Sequence, residues 1–292
     1  MDTSLVYQSM YDLIRKTSTE LPEDIHTALK NARLREHPDS IAYSIFDTIL
    51  ESSGLSKSTS LPVCQDTGTI LALVKASQTG IYDEIRSCII QAVQALTTEG
   101  ILRQNCMDTI TETNTGDNTG EHVPGIHFIP ENGPARVGIM LKGGGSENVS
   151  TQYSLPDNAL KAGRDFEGVR KCILDAVFQA QGKGCAPGIL GVCIGGDRAS
   201  GYATAKQQLF RRLDDSHTNK TIALLETTIL EQANSMDIGP MGLGGNTTLL
   251  GVKIGTAGRH PACYFVTVSY SCWATRRYLI ELDDTGAISR WL

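Results

Sequence analysis

The apolar positions of this chain fall into blocks whose period changes along its length. Through about residue 55 they recur at helical spacing. In the stretch PEDIHTALKNARL, Ile25, Leu29, Ala32 and Leu34 form one apolar stripe, and Ile41, Ile45 and Ile49 follow at four-residue steps. Pro22 suits the start of a helix. The run TILALVKA then predicts a buried strand over 69–76, and Ile85, Ile89, Val93 and Leu96 place an amphipathic helix over 82–96. Between 114 and 125 the pattern lapses into NTGDNTGEHVPG, polar and glycine-bearing like a loop. GIHFIPE and ARVGIMLKGGG predict strands, Val169, Ile173 and Val177 a helix over 166–181, and GILGVCIGG another strand. Further helices are expected over 199–212 and 220–236, with strands in NTTLLGVKIG and CYFVTVSYSC closing the pattern. This alternation predicts a mixed α/β (α+β) fold, mixed β-sheets flanked by helices. The expected organisation is a single domain over 1–292 with a helical segment over about 1–55 and room for two lobes.

Composition narrows the function classes. With 40% hydrophobic and 20% charged residues, the chain is ordinary for a soluble globular protein and long enough to bury a substantial core. A net charge of -6 leaves no basic footprint for nucleic acid. The start, MDTSLVYQSMYDLIRK, lacks the apolar centre of a secretory signal. No run approaches the roughly 18 consecutive apolar residues needed to span a bilayer. A cytoplasmic protein without nucleic-acid or membrane partners is expected. Its eight cysteines, at 64, 88, 106, 172, 185, 193, 263 and 272, are then thiols or ligands rather than disulfides. No Cys-x-x-Cys pair occurs, which removes zinc-ribbon, zinc-finger and thioredoxin-like readings.

Reactive side chains coincide with glycine in five stretches: CQDTG (64–68), KGGGSEN (142–148), GCAPGILGVCIGGD (184–197), IGPMGLGGNTTLLG (238–251) and AGRHP with SYSCWATRR (257–277). Glycine permits close backbone approach to a ligand, although each stretch alone is also an ordinary turn. A Walker A loop is excluded, because GPMGLGGN carries glycine and asparagine where lysine and Ser/Thr are required. KGGGSEN could form a backbone anion nest beside Lys142. Cys88 and Cys172 fall within helical apolar patterns and suit core packing, while Cys106, Cys193 and Cys263 are ambiguous. Cys64, Cys185 and Cys272 each lie where a loop meets a strand end, a setting that suits ligands. Three thiolates with a fourth position open would suit an iron–sulfur cluster whose free iron acts as a Lewis acid. Their wide sequence separation is unlike a ferredoxin run, so the residues themselves go no further than a metal or cluster site with anion-binding loops.

CQDTG, LRQNC, NTGDNTG, KGGGSEN, GLGGNTTLLGV, RHP and SCWATRR, in this order, resemble the alpha-type domain of the class I fumarate hydratase and L-tartrate dehydratase family of iron–sulfur hydro-lyases, from about residue 10 onward. The resemblance implies that Cys64, Cys185 and Cys272 hold a [4Fe-4S] cluster whose fourth iron binds substrate. It implies acid-base or hydroxyl-orienting work for Asp66 with His260. Gln65, Arg103 and the amides of Gly144 and Gly145 would bind the carboxylates of a small dicarboxylate, Arg103 through two parallel N–H bonds. Single-chain relatives continue into a second domain bearing further basic residues and the C–H base. A separate beta-type hydro-lyase subunit, hence a hetero-oligomer, is therefore expected here. Asp197 departs from the IGGT common among relatives, and substrate contacts near it are open to question. KGGGSEN looks more like the fumarase form, so fumarate hydration to (S)-malate is favoured. The alternative is L-tartrate dehydration, and a non-catalytic cluster-binding subunit is less expected.

Overall fold

The computed structural model describes residues 1–77 and 79–292. Its first half runs α1 (Thr3–Thr19), α2 (Glu23–Arg33), α3 (Ile41–Thr59), β1 (Thr69–Ala76), α4 (Tyr82–Thr98), β2 (Gly125–Pro130), β3 (Arg136–Lys142), α5 (Gly144–Asn148) and β4 (Thr151–Ser154). There follow α6 (Phe166–Ala180), β5 (Gly188–Gly195), α7 (Arg198–Gln208), α8 (Lys220–Asn234), β6 (Leu249–Ala257), β7 (Phe265–Ser271), β8 (Arg276–Leu282) and β9 (Ile288–Trp291). The fold is mixed α/β, with two mixed sheets flanked by helices. No helix among the described residues is long and apolar enough to cross a membrane.

Two compact units divide the chain. The first comprises Met1–Pro22, Ser52–Gly144 and Ala274–Leu292, and the second Glu23–Glu51 and Gly145–Trp273. The first holds a five-stranded sheet in the order β2-β1-β3-β8-β9, with β1 and β2 parallel and the other pairings antiparallel. Its core sets Val6, Met10, Leu13 and Ile14 of α1 and Ile85, Ile89, Val93 and Leu96 of α4 with Ile70, Ala72, Val137, Ile139 and Ile280 of the sheet. Those helical positions recur every three or four residues, the spacing that keeps one helix face on the core.

The second unit holds a four-stranded sheet ordered β4-β7-β5-β6, with only β5 and β6 parallel. Every residue of β5 and β7 is buried, which fits their continuous apolar and small-residue runs at the sheet centre. Val169, Cys172, Ile173 and Val177 of α6 and Ile222 and Ile229 of α8 complete its core with Leu190, Val192 and Val268.

Two expectations from periodicity fail locally. Leu34 lies past the end of α2 and is 74% exposed, while Ile41, the first residue of α3, is 64% exposed. The face of α3 that is buried carries Ala42, Phe46, Ile49, Ser53 and Ser56. A strict four-residue step drifts about 40° per repeat, whereas alternating steps of four and three track the 3.6-residue turn. The strand expected through KGGG also stops early: β3 ends at Lys142, and the glycines open α5.

Candidate active site

In the first unit, Cys64, Gln65 and Asp66 lie on the loop that enters β1. The loop returns against β3 at Gly68, whose φ is +83° and where a Cβ would sit 2.7 Å from the backbone of Lys142. Only a residue without Cβ tolerates both conditions. The Asp66 carboxylate accepts from Gly68 N at 2.9 Å, from Gly144 N at 2.8 Å and from Asn105 Nδ2 at 3.3 Å. Its backbone oxygen accepts from Nη2 of Arg276 at 2.9 Å, and Nε of the same guanidinium donates to Ala274 O at 3.2 Å. Arg276 is almost fully buried, so a charged side chain anchors the loop from inside.

Arg103 leaves its guanidinium exposed. Its backbone N–H donates to Thr67 Oγ1 at 2.9 Å, and Nη1 donates to Gln65 O at 3.4 Å. The segment carrying Arg103 and Asn105 is fastened by Asn118, a buried amide on a left-handed backbone with φ +60°. Asn118 Oδ1 accepts from the N–H groups of Asn105 at 2.7 Å and Cys106 at 3.2 Å. Its Nδ2 donates to Thr97 Oγ1 at 3.1 Å and to Arg103 O. Next to it, the Thr119 hydroxyl and N–H hold the Asp117 carboxyl below the usual carboxylate range. A cavity of about 300 Å³ beside this network is lined by Gly68, Asn105, Cys106, Met107, Asn118 and Val123, among others.

In the second unit, Gly145 belongs to the first turn of α5, and Cys185 precedes β5. Cys185 is exposed and has φ +54°, a left-handed conformation uncommon outside glycine. Cys272 directly follows β7, and the next residue, Trp273, donates its N–H to Cys185 O at 3.2 Å. Burial first, and then the charges of Cys272 and Cys185, hold the Tyr270 hydroxyl in the neutral form. His260 is exposed on the loop after β6, where Nδ1 accepts from Ala262 N at 3.1 Å and its carbonyl accepts from Cys263 N at 2.9 Å. His260 thus shapes its own loop.

The first unit therefore brings Gln65, Asp66, Arg103 and Gly144 into one hydrogen-bonded group next to Cys64, and the second pairs the Cys185 and Cys272 segments. Asp197, the departure noted in the sequence, caps α7: its carboxylate accepts from Ala199 N and Ser200 N at 2.8 Å each, and these bonds hold its pKa low. Sequence reading passed over Thr67, Asn118 and Arg276. None stood out by its own type or spacing, because the bonds that reveal each run to separate segments of the chain.

A family model described as fumarate hydratase (Fumerase) matches residues 7–281. A Geobacillus stearothermophilus protein provisionally named fumarate hydratase class I is 46% identical over 292 residues, covering 98% of this chain and 57% of that protein. A Methanocaldococcus jannaschii protein provisionally named L(+)-tartrate dehydratase subunit alpha is 35% identical, over 93% of this chain and 96% of its own length. The L(+)-tartrate dehydratase subunit alpha of Escherichia coli strain K12 is 33% identical, over 92% and 88%. The chain belongs to the fumarate hydratase (Fumerase) family, whose members named here are hydro-lyases. It spans little more than half the length of the Geobacillus relative.

The iron–sulfur dependence of class I fumarate hydratases makes the thiol environments informative. Cys88, Cys106, Cys172 and Cys193 are buried. Burial, helped by Glu84, pushes the Cys88 thiol up, and burial with Asp157 and Asp175 pushes Cys172 up to about 12. Cys193 is also raised by burial, against an opposing Thr204 hydrogen bond. Such thiols are poor ligands. Cys64 and Cys272 are half-buried and Cys185 exposed, all on loops at strand ends, and the buried hydroxyl of Tyr270, on the strand that leads to Cys272, has no hydrogen-bond partner among the described residues. This donor set fits a sulfur-ligated group. Within neither unit do three His, Cys, Asp or Glu side chains of the described residues form a group that could hold a metal ion.

Proposed function

We propose that this chain is the alpha-type catalytic domain of a fumarate hydratase that interconverts fumarate and (S)-malate. Support comes from the CQDTG loop, where one carboxylate is fixed by three donors beside an exposed arginine. Higher identity to the protein named fumarate hydratase than to those named tartrate dehydratase, and KGGGSEN, favour fumarate.

Cys64, Cys185 and Cys272 would hold a [4Fe-4S] cluster. When bound, it supplies a Lewis acid for the hydroxyl that is added or lost. The chain's own residues do part of the remaining work. Arg103 clamps one substrate carboxylate through parallel N–H donors, and Gln65 donates to it through its amide. Gly144 and Gly145 contribute amides, that of Gly144 through its bond to Asp66 Oδ2. Asp66, already oriented, holds the substrate hydroxyl or its proton, and His260 is its polar partner. A beta-type subunit completes the site with further basic groups and the C–H base; relatives named subunit alpha support such a hetero-oligomer. A cytoplasmic location keeps the thiols reduced.

The test is anaerobic reconstitution with iron and sulfide, addition of the beta-type partner, and parallel assay of fumarate and L-tartrate. Fumarate turnover that falls at least tenfold in Arg103→Ala, chiefly through KM, is expected. Turnover of L-tartrate alone would overturn the substrate assignment, and undiminished fumarate turnover after complete iron chelation would overturn the cluster.

A further inference from the structure

Tyr270, on β7, is 2% exposed and its hydroxyl has no hydrogen-bond partner among the described residues. Burying a phenol without a partner is unfavourable, and buried tyrosine hydroxyls usually find one. The surroundings show where this one is directed. A Cβ at Gly184 would lie 2.6 Å from its Cε1, and one at Gly188 would lie 2.2 Å from Cζ and 2.3 Å from Oη. The ring is therefore wedged against the segment that carries Cys185, and glycine at 184 and 188 makes the space for it. Cys272 lies two residues along from Tyr270, and Trp273 ties that segment to Cys185 by its bond to the Cys185 carbonyl.

We propose that Tyr270 is a positioning residue for the sulfur-ligated group, donating its Oη–H to a sulfur that Cys185 or Cys272 brings to the site. This rests on the cluster reading of the preceding section. A hydrogen bond to a cluster sulfur draws electron density from it and favours the reduced state, so the donor raises the reduction potential. It also gives the hydroxyl the partner it lacks in the protein alone.

The experiment compares wild type with Tyr270→Phe, which keeps the ring and deletes only the donor. Both are reconstituted anaerobically as full chains with the beta-type partner. Iron and acid-labile sulfide are counted, and the cluster is titrated potentiometrically with its paramagnetic signal as readout. Equal loading with a lower potential in Tyr270→Phe is expected, a shift that a packing role would not produce. Site-specific 3-fluorotyrosine at 270, a stronger donor of nearly the same shape, is expected to shift the potential upward, and this arm decides if the phenylalanine variant fails to load. An unchanged potential in a loaded variant overturns the proposal. A wild-type protein that takes up no iron or sulfide overturns the cluster reading, and the role of Tyr270 with it.

Discussion

Replacing Asn118 by alanine tests whether the loop bearing Arg103 is organised by a single amide. The substitution removes four hydrogen bonds. Cys106 is buried, so its N–H would be left without a partner at about 1–3 kcal/mol. The Asn105 N–H and the Arg103 carbonyl lie on exposed residues and can turn to water, losing about 0.5 kcal/mol each. Alanine at φ +60° adds about 1 kcal/mol of backbone strain that asparagine tolerates better. The sum is about 3–5 kcal/mol, and Asn118→Gly, free of the strain, should lie about 1 kcal/mol closer to wild type. Urea unfolding gives the totals, and amide exchange over 103–106 shows whether the loss is local. In the active complex both variants should raise KM for fumarate more than they lower kcat, because Arg103 becomes less pre-ordered. The reasoning is refuted if Asn118→Ala unfolds within about 0.5 kcal/mol of wild type, the range of a neutral surface change, with exchange at 105 and 106 unaltered.

Two further outcomes follow from the thiol environments. In the cluster-free chain, a thiol reagent should modify Cys64, Cys185, Cys263 and Cys272 well before Cys88, Cys106, Cys172 and Cys193; peptide mapping showing the reverse order would contradict the division of ligand and core cysteines. On the alkaline side, Cys172 in the folded chain holds its proton up to about 12 against an ordinary value of 9.0. The folded state thus binds more protons over that window. The associated stability is fully present below about pH 9 and declines toward pH 12, so Cys172→Ala should flatten the fall of the urea midpoint across it.

The sequence was most informative where a single physical demand governs a segment. TILALVKA became β1 at the expected residues, and the helices over 82–96 and 166–181 appeared within two residues of their expected ends. These segments face one apolar core, so burial alone sets their period. RRYLIEL was missed as a strand because its two leading positions are arginines, both buried, and Arg276 reaches the Asp66 carbonyl 210 positions away in the sequence. A buried cation is costly unless it is paired, and no local pattern reveals the pairing. The same applies to the site. CQDTG and LRQNC stand out as reactive clusters, whereas Thr67 and Asn118 look like ordinary loop residues until their bonds to the Arg103 segment are seen. Asp197 shows the converse: a carboxylate that invited suspicion of substrate contact is accounted for by capping α7.

Exposure separates the groups assigned chemistry from those that hold them. Gln65, Arg103, Cys185 and His260 are exposed, while Thr67, Asn118, Tyr270 and Arg276 are buried. An exposed side chain can be truncated with little effect on folding, since water replaces its contacts. A buried polar side chain leaves its former partners unsatisfied when removed, so the effect appears first in stability and loop order, and only then in turnover. Substitutions in the first set should therefore separate binding or catalysis from folding. Those in the second should couple them, with Tyr270 the exception. Because its hydroxyl bonds nothing among the described residues of the cluster-free chain, deleting that hydroxyl should leave the apo-protein no less stable while altering the loaded one. A side chain that matters only when its ligand is present belongs to the site, even though its burial places it with the scaffold.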